Sequence, residues 1–76
     1  MQFPLAESTV NAIHGQLGDT EDLEIGFEKT GSVQGQIVKP IAGGFLHEPH
    51  IIDYKARVVA KGRELDWKIV EWKIVV

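Results

Sequence analysis

A strict alternation of apolar and polar residues in the C-terminal half limits the fold more than any other feature of this chain. Every second position from 52 to 60 carries an apolar side chain: Ile52, Tyr54, Ala56, Val58 and Ala60. Successive side chains of a β-strand point to opposite faces, so the pattern predicts a strand with one buried face. Lys61-Gly62-Arg63 is typical of a tight turn, and the alternation that follows it predicts a partner strand.

The C-terminal strand contains a short duplication. Trp67-Lys68-Ile69-Val70 recurs five positions later as Trp72-Lys73-Ile74-Val75. An odd spacing puts the two tryptophans on opposite faces of a regular strand, whereas one extra residue at Val70-Glu71, a β-bulge, restores the phase. We predict the bulge rather than a straight strand buried on both sides, because the bulge leaves both lysines outside. The inner face then carries Leu65, Trp67, Ile69, Trp72, Ile74 and Val76.

Residues 23–38 predict an earlier hairpin. Leu23, Ile25 and Phe27 alternate with polar residues or glycine, residues 29–32 resemble a turn, and a second alternation runs to residue 38. Gly35 on the inner face of this second strand predicts a bend or the close approach of another element. Residues 40–50 contain two glycines and two prolines, and we expect them to form a long irregular connection.

The N-terminal segment predicts a helix. Ala6, Val10, Ile13 and Leu17 follow the spacing of one helical face. Pro4 suits the first turn of a helix, where its missing N–H costs nothing, and Gly18 suits a helix end in a left-handed conformation.

These patterns predict a single α+β domain over residues 1–76 that is mainly β. One N-terminal helix precedes a four-stranded antiparallel meander, and we expect the helix to cover one face of the sheet. If the sheet curls into a small barrel, as Gly35 and the bulge favour, the helix plugs the end of that barrel. The 43% of hydrophobic and 25% of charged residues are ordinary for a globular protein.

The chain contains no cysteine, and its first residues form neither a basic segment nor a long apolar run. We therefore expect a cytoplasmic protein with no signal peptide, no membrane-spanning segment and no disulfide.

The charge of the chain is unevenly distributed. The net charge is −3, yet residues 39–76 hold seven bases against five acids. An overall acidic balance argues against a dedicated nucleic-acid-binding protein, although the basic residues of the last two strands keep a nucleic-acid-binding small β-barrel as an alternative. We expect cross-strand ion pairs on this outer face, because carboxylates interrupt the positive charge.

One cluster resembles a metal site. His47-Glu48-Pro49-His50, with Asp53 nearby, offers imidazoles and carboxylates that suit a transition metal ion. Pro49 prevents the helix that would put both histidines on one face, and extended chain separates them by roughly 10 Å. A polar loop is the preferred interpretation, so we predict no metal or other cofactor, and a metal-binding protein using His47 and His50 is the second alternative.

Residue types give no support for nucleophilic catalysis, because there is no cysteine and neither Ser8 nor Ser32 has a histidine neighbour in sequence. We therefore predict a non-enzymatic interaction or assembly module. The apolar end Ile74-Val75-Val76 lacks the charges or prolines that usually protect an edge strand, which predicts a protein partner or self-association through the C-terminal strand. The predicted interaction surface comprises Lys55, Arg57, Lys68, Lys73, Ile74 and Val76.

Overall fold

The computed structural model describes residues 3–76 as one helix and three antiparallel strands. The elements are α1 (Glu7–Leu17), β1 (Glu28–Ile41), β2 (Gly44–Lys61) and β3 (Glu64–Ile74). The strands form an open sheet in the order β1-β2-β3, with α1 packed on one face. The mainly-β antiparallel fold with an N-terminal helix is confirmed, but the sheet has three strands and not the predicted four, and it stays open and does not curl into the barrel that the sequence left possible.

The predicted strand over Leu23, Ile25 and Phe27 is a pair of consecutive turns. The Leu23 N–H donates to the Thr20 carbonyl over 3.0 Å, and the Phe27 N–H donates to the Glu24 carbonyl over 3.1 Å. Gly26 sits between them at φ 95°, a conformation that glycine adopts without strain. Ile25 is 65% exposed, so the alternation in this segment does not describe a buried face.

The prediction of a turn at residues 29–32 is also wrong, since these residues lie inside β1. Gly31 is paired with Tyr54 of β2, and a Cβ added to Gly31 would lie 2.5 Å from the tyrosine hydroxyl oxygen. This glycine therefore makes room for the ring of Tyr54 and does not turn the chain.

The irregular connection expected over residues 40–50 is a tight β-hairpin with its turn at residues 42–43. Its prolines remain in strands because their missing N–H groups point to open edges. The Val38 N–H donates outward from β1 to the Pro4 carbonyl, so the nitrogen of Pro40, two residues later, also points outward. By the same alternation the nitrogen of Pro49 points to the same edge of β2 as β3, at a position beyond the residues that pair with β3.

The predicted bulge in β3 is confirmed. The pairing with β2 passes from Lys55 opposite Glu71 to Ala56 opposite Ile69, which leaves Val70 as the extra residue. Trp67, Ile69, Trp72 and Ile74 are therefore opposite the apolar residues of β2 and share their face, as the phase argument required. We name this the helix-side face and the opposite one the outer face.

The helix packs across β1 and β2 through Thr9, Ile13 and Leu17. Thr9 replaces the expected Val10 at the closest point: its side chain occupies the space that a Cβ on Gly35 would need, and its Oγ1 accepts the Gln36 N–H over 2.8 Å. The close approach predicted at Gly35 is thus confirmed. The buried apolar residues form the core: Ala6, Ile13, Leu17, Ile37, Ile52, Tyr54, Ala56, Val58 and Trp67.

The end of α1 lies where the sequence predicts it, but its start does not. The helix begins at Glu7, so Pro4 lies before its first turn and not within it. It ends at Leu17, and Gly18 follows at φ 77°, which confirms the predicted glycine stop at positive φ. No helix within residues 3–76 is long and apolar enough to cross a membrane.

Candidate functional site

The distal part of the β1–β2 hairpin projects from the body of the domain. On one side, the part of the N-terminal segment that the structure describes pairs with the edge of β1 up to Val38, through a bridge between Leu5 and Ile37. On the other side, β3 accompanies β2 only to Ile51, whose carbonyl accepts the Val75 N–H. Residues 39–47 thus form a two-stranded ribbon, which we name the hairpin arm, and the molecule reaches 44 Å along its longest axis.

The tip of the hairpin arm is apolar and exposed. Ile41, Phe45 and Leu46 are 52%, 70% and 45% exposed, and no charged residue lies between residues 40 and 46. The register puts Ile41 and Leu46 on the helix-side face and Phe45 on the outer face. The tip therefore presents large apolar side chains on both faces of the ribbon.

A small ionic cluster on the helix-side face marks the base of the hairpin arm. Glu48 accepts hydrogen bonds from Lys39 Nζ over 2.9 Å and from His50 Nε2 over 2.6 Å. These two partners, Lys39 first, hold the pKa of Glu48 below its ordinary value by stabilising the carboxylate. The cluster ties the two strands together at the base of the hairpin arm.

The three side chains considered as metal ligands do not converge. His47 and His50 are three positions apart in a continuous strand, so they point to opposite faces. His47 Nδ1 lies 3.3 Å from Gln36 Oε1, and Asp53 accepts a hydrogen bond from the Ser32 hydroxyl. In the part of the chain that the structure describes, no three histidine, aspartate or glutamate side chains are close enough to hold a metal ion.

The outer face of the body carries the cross-strand ion pairs that the sequence predicts. Arg57 binds Glu28 through Nη2 at 2.6 Å, which lowers the pKa of Glu28. Lys55 lies 3.6 Å from Glu71, and the shallow depression around this pair has a volume of 640 Å³. Its rim alternates in charge and includes Asp53 and Lys73, so the depression does not offer a field of one sign.

The residues of the predicted interaction surface occupy three different environments. Lys55 and Arg57 are engaged in the ion pairs of the outer face. Lys68 and Lys73 are exposed on the same face of β3, whereas Ile74 is half-buried on the helix-side face. Val76 is fully exposed beyond the end of the strand.

The hairpin arm is the feature that the sequence interpretation missed. A signal was present: Gly43-Gly44 lies between apolar residues, and a short glycine link between extended runs is typical of a hairpin. The two prolines concealed it, because proline usually ends a strand unless its nitrogen faces an open edge.

No protein-family model, curated protein or solved structure matches this chain.

Proposed function

We propose that this protein is a non-enzymatic interaction module that binds a protein partner through the apolar tip of its hairpin arm. The observation that carries the proposal is the exposure of Ile41, Phe45 and Leu46 on a ribbon that projects from the body. Contiguous exposed apolar residues surrounded by polar ones are typical of protein-binding surfaces.

The tip contributes little to the fold that it extends from. Among residues 3–76, the buried core draws on α1 and the residue before it, on Ile37 of β1, on β2 from Ile52 to Val58 and on β3, and none of its residues lies in the hairpin arm. A two-stranded ribbon alone is only marginally stable in water. Burial of the tip by a partner would gain about 25 cal/mol for each Å² of apolar surface removed from water.

The β2 edge of the hairpin arm adds a second means of binding. Phe45 and His47 direct their backbone groups away from β1, and no strand among residues 3–76 pairs with them. A short extended segment of a partner can pair with these two residues, while Pro40 and Pro49 limit pairing along the rest of the ribbon.

The outer face of the body supports a nucleic-acid-binding function less well. Its cations alternate with carboxylates, and Tyr54 and Trp67 are buried on the helix-side face, away from bases that would stack on them.

The test replaces Phe45 with a photo-crosslinking phenylalanine analogue in the native host cell. We expect irradiation to join the chain to one discrete protein partner. The matched control carries the analogue at Ile25, which is 65% exposed but lies in the turns before β1. Equal adducts from both positions, or no adduct from Phe45, would overturn the proposal.

A double substitution then tests whether the crosslink at position 45 requires the other apolar residues of the tip. Ile41→Ser with Leu46→Ser removes apolar surface next to the analogue, and we expect the adduct to disappear while the fold remains. Ile25→Ser removes a similarly exposed side chain elsewhere, and it should leave the adduct unchanged.

A further inference from the structure

The strand β3 forms a second open edge, remote from the hairpin arm. Within the described residues it pairs only with β2. The Val75 N–H donates to β2, and Lys68 is paired with Arg57, whose backbone groups face β3. The backbone groups of Trp67, Ile69 and Ile74 therefore point outward. In agreement, the Trp67 N–H donates to the side chain of Asp66 over 2.8 Å and not to a neighbouring strand.

Charges alternate along the outer face of this edge in a self-complementary order. On either side of Ile69 the outer-face residues are Asp66 and Lys68 toward the turn, and Glu71 and Lys73 toward the C-terminus. The bulge at Val70 is what places all four on one face, because a regular strand would put Lys68 and Glu71 on opposite faces.

We propose that two copies of this chain pair antiparallel through β3 about a twofold axis that passes between their Ile69 residues. In this register Lys68 of each copy is opposite Glu71 of the other, and Asp66 is opposite Lys73. On the helix-side face, Leu65 is opposite Ile74. Each pair occurs twice, and the two three-stranded sheets become one continuous sheet of six strands with both helices on the same side.

The neighbouring registers that preserve the faces are disfavoured by charge. Centring the axis on Lys68 puts two lysines opposite each other and sets Asp66 against Glu71. Centring it on Glu71 puts two glutamates opposite each other and sets Lys68 against Lys73. Like charges directly opposite destabilise a strand pair, and a shift by one residue would set charged side chains against apolar ones. Of these three registers, charge favours the one centred on Ile69, and its self-complementary order fits a second copy as the partner.

The ion pairs within one chain leave these side chains available. Lys68 and Lys73 take part in no ion pair among residues 3–76. Asp66 lies 3.8 Å from Lys61 and Glu71 lies 3.6 Å from Lys55, with side chains 42% and 70% exposed. Such long and exposed pairs contribute little, so both carboxylates can turn to a second copy.

Charge reversal combined with sedimentation equilibrium tests the register. The unaltered chain should form a dimer of the 8.5 kDa protomer. Lys68→Glu makes two cross-strand pairs repulsive and should weaken dimerisation roughly tenfold or more. The double reversal of Lys68→Glu with Glu71→Lys restores opposite charges at the same net charge, and it should recover the original dissociation constant.

A monomer at every concentration up to roughly 1 mM would overturn the proposal. A dimer that the single reversal does not weaken, or that the double reversal does not recover, would overturn the register. Because the hairpin arm contains none of these residues, failure here and failure at the tip are separate results.

Disulfide trapping supplies a measurement that does not depend on charge. The chain has no cysteine, so Ile69→Cys introduces a single thiol. Opposite residues of an antiparallel pair have Cα atoms about 5.5 Å apart, within the span of a disulfide. We expect mild oxidation to yield a covalent dimer. The control Leu65→Cys, half-buried on the same face, should yield none because its two copies lie at opposite ends of the paired strands.

Discussion

The two halves of β2 have the same backbone conformation and opposite surroundings. From Ile52 to Arg57 the strand has a neighbour on each edge and the helix over one face, and every second side chain from Ile52 to Val58 is buried. From Gly44 to His50 it has β1 alone, and its side chains are exposed or half-buried. Strand length thus exceeds what the core requires, and the excess forms a projecting surface.

The largest expected difference between the two halves comes from truncating one large apolar side chain in each. Ile52 is fully buried, so Ile52→Ala should lower the free energy of unfolding by about 2–5 kcal/mol. Phe45 is 70% exposed, so Phe45→Ala should change it by no more than about 0.5 kcal/mol. Urea unfolding followed by tryptophan fluorescence measures both, and a loss at Phe45 comparable to that at Ile52 would make the hairpin arm part of the core.

A second, smaller difference is expected between the stability effects of replacing two glycines, because one is crowded by neighbouring atoms and the other is not. Gly35→Ala forces a Cβ against Thr9 and within 3.2 Å of Ile52, and it should cost about 1–3 kcal/mol. Gly15→Ala adds a Cβ with nothing within 4 Å, inside a helix, and it should stabilise the domain by about 0.5–1 kcal/mol. Thermal unfolding of the two variants checks the signs, and destabilisation by Gly15→Ala would contradict the described helix.

Titration of the two perturbed glutamates gives the smallest effect. Hydrogen bonds lower the pKa of Glu48 at the base of the hairpin arm and of Glu28 in the body. Each therefore contributes stability that is present above the ordinary pKa of glutamate and is lost as the pH falls through the lowered folded value. Lys39→Met should raise the pKa of Glu48 and leave that of Glu28 unchanged. NMR detection of the side-chain carboxyl carbons follows both, and an unchanged Glu48 would remove Lys39 from the cluster.

The same comparison explains how far the sequence predicts the structure. Where a strand has one buried face, the alternation is reliable, as from Ile52 to Val58, and even the bulge at Val70 follows from the spacing of two tryptophans. In the hairpin arm neither face is buried, so no periodicity marks the strands. Backbone pairing alone holds them, and a proline whose nitrogen faces an open edge has the same sequence signature as one that ends a strand.

The candidate site was less predictable than the fold. The sequence predicts an interaction edge at the C-terminal strand because that strand lacks protecting charges or prolines. Only the register of β3 shows that Asp66, Lys68, Glu71 and Lys73 lie on one face in alternating order. The hairpin arm is defined by which residues of β1 and β2 have a third strand beside them, and no periodicity within residues 39–47 marks that difference.

Native-state hydrogen exchange along β2 tests most directly whether the body carries the stability and the hairpin arm is a separate surface. The amide of Leu46 in the hairpin arm and that of Glu48 at its base face β1, as do those of Tyr54 and Ala56. We predict that Tyr54 and Ala56 exchange only by global unfolding, whereas Leu46 and Glu48 exchange through local opening at a much lower free energy. Equal protection at all four amides would contradict the account, because the hairpin arm and the body would then unfold as one unit.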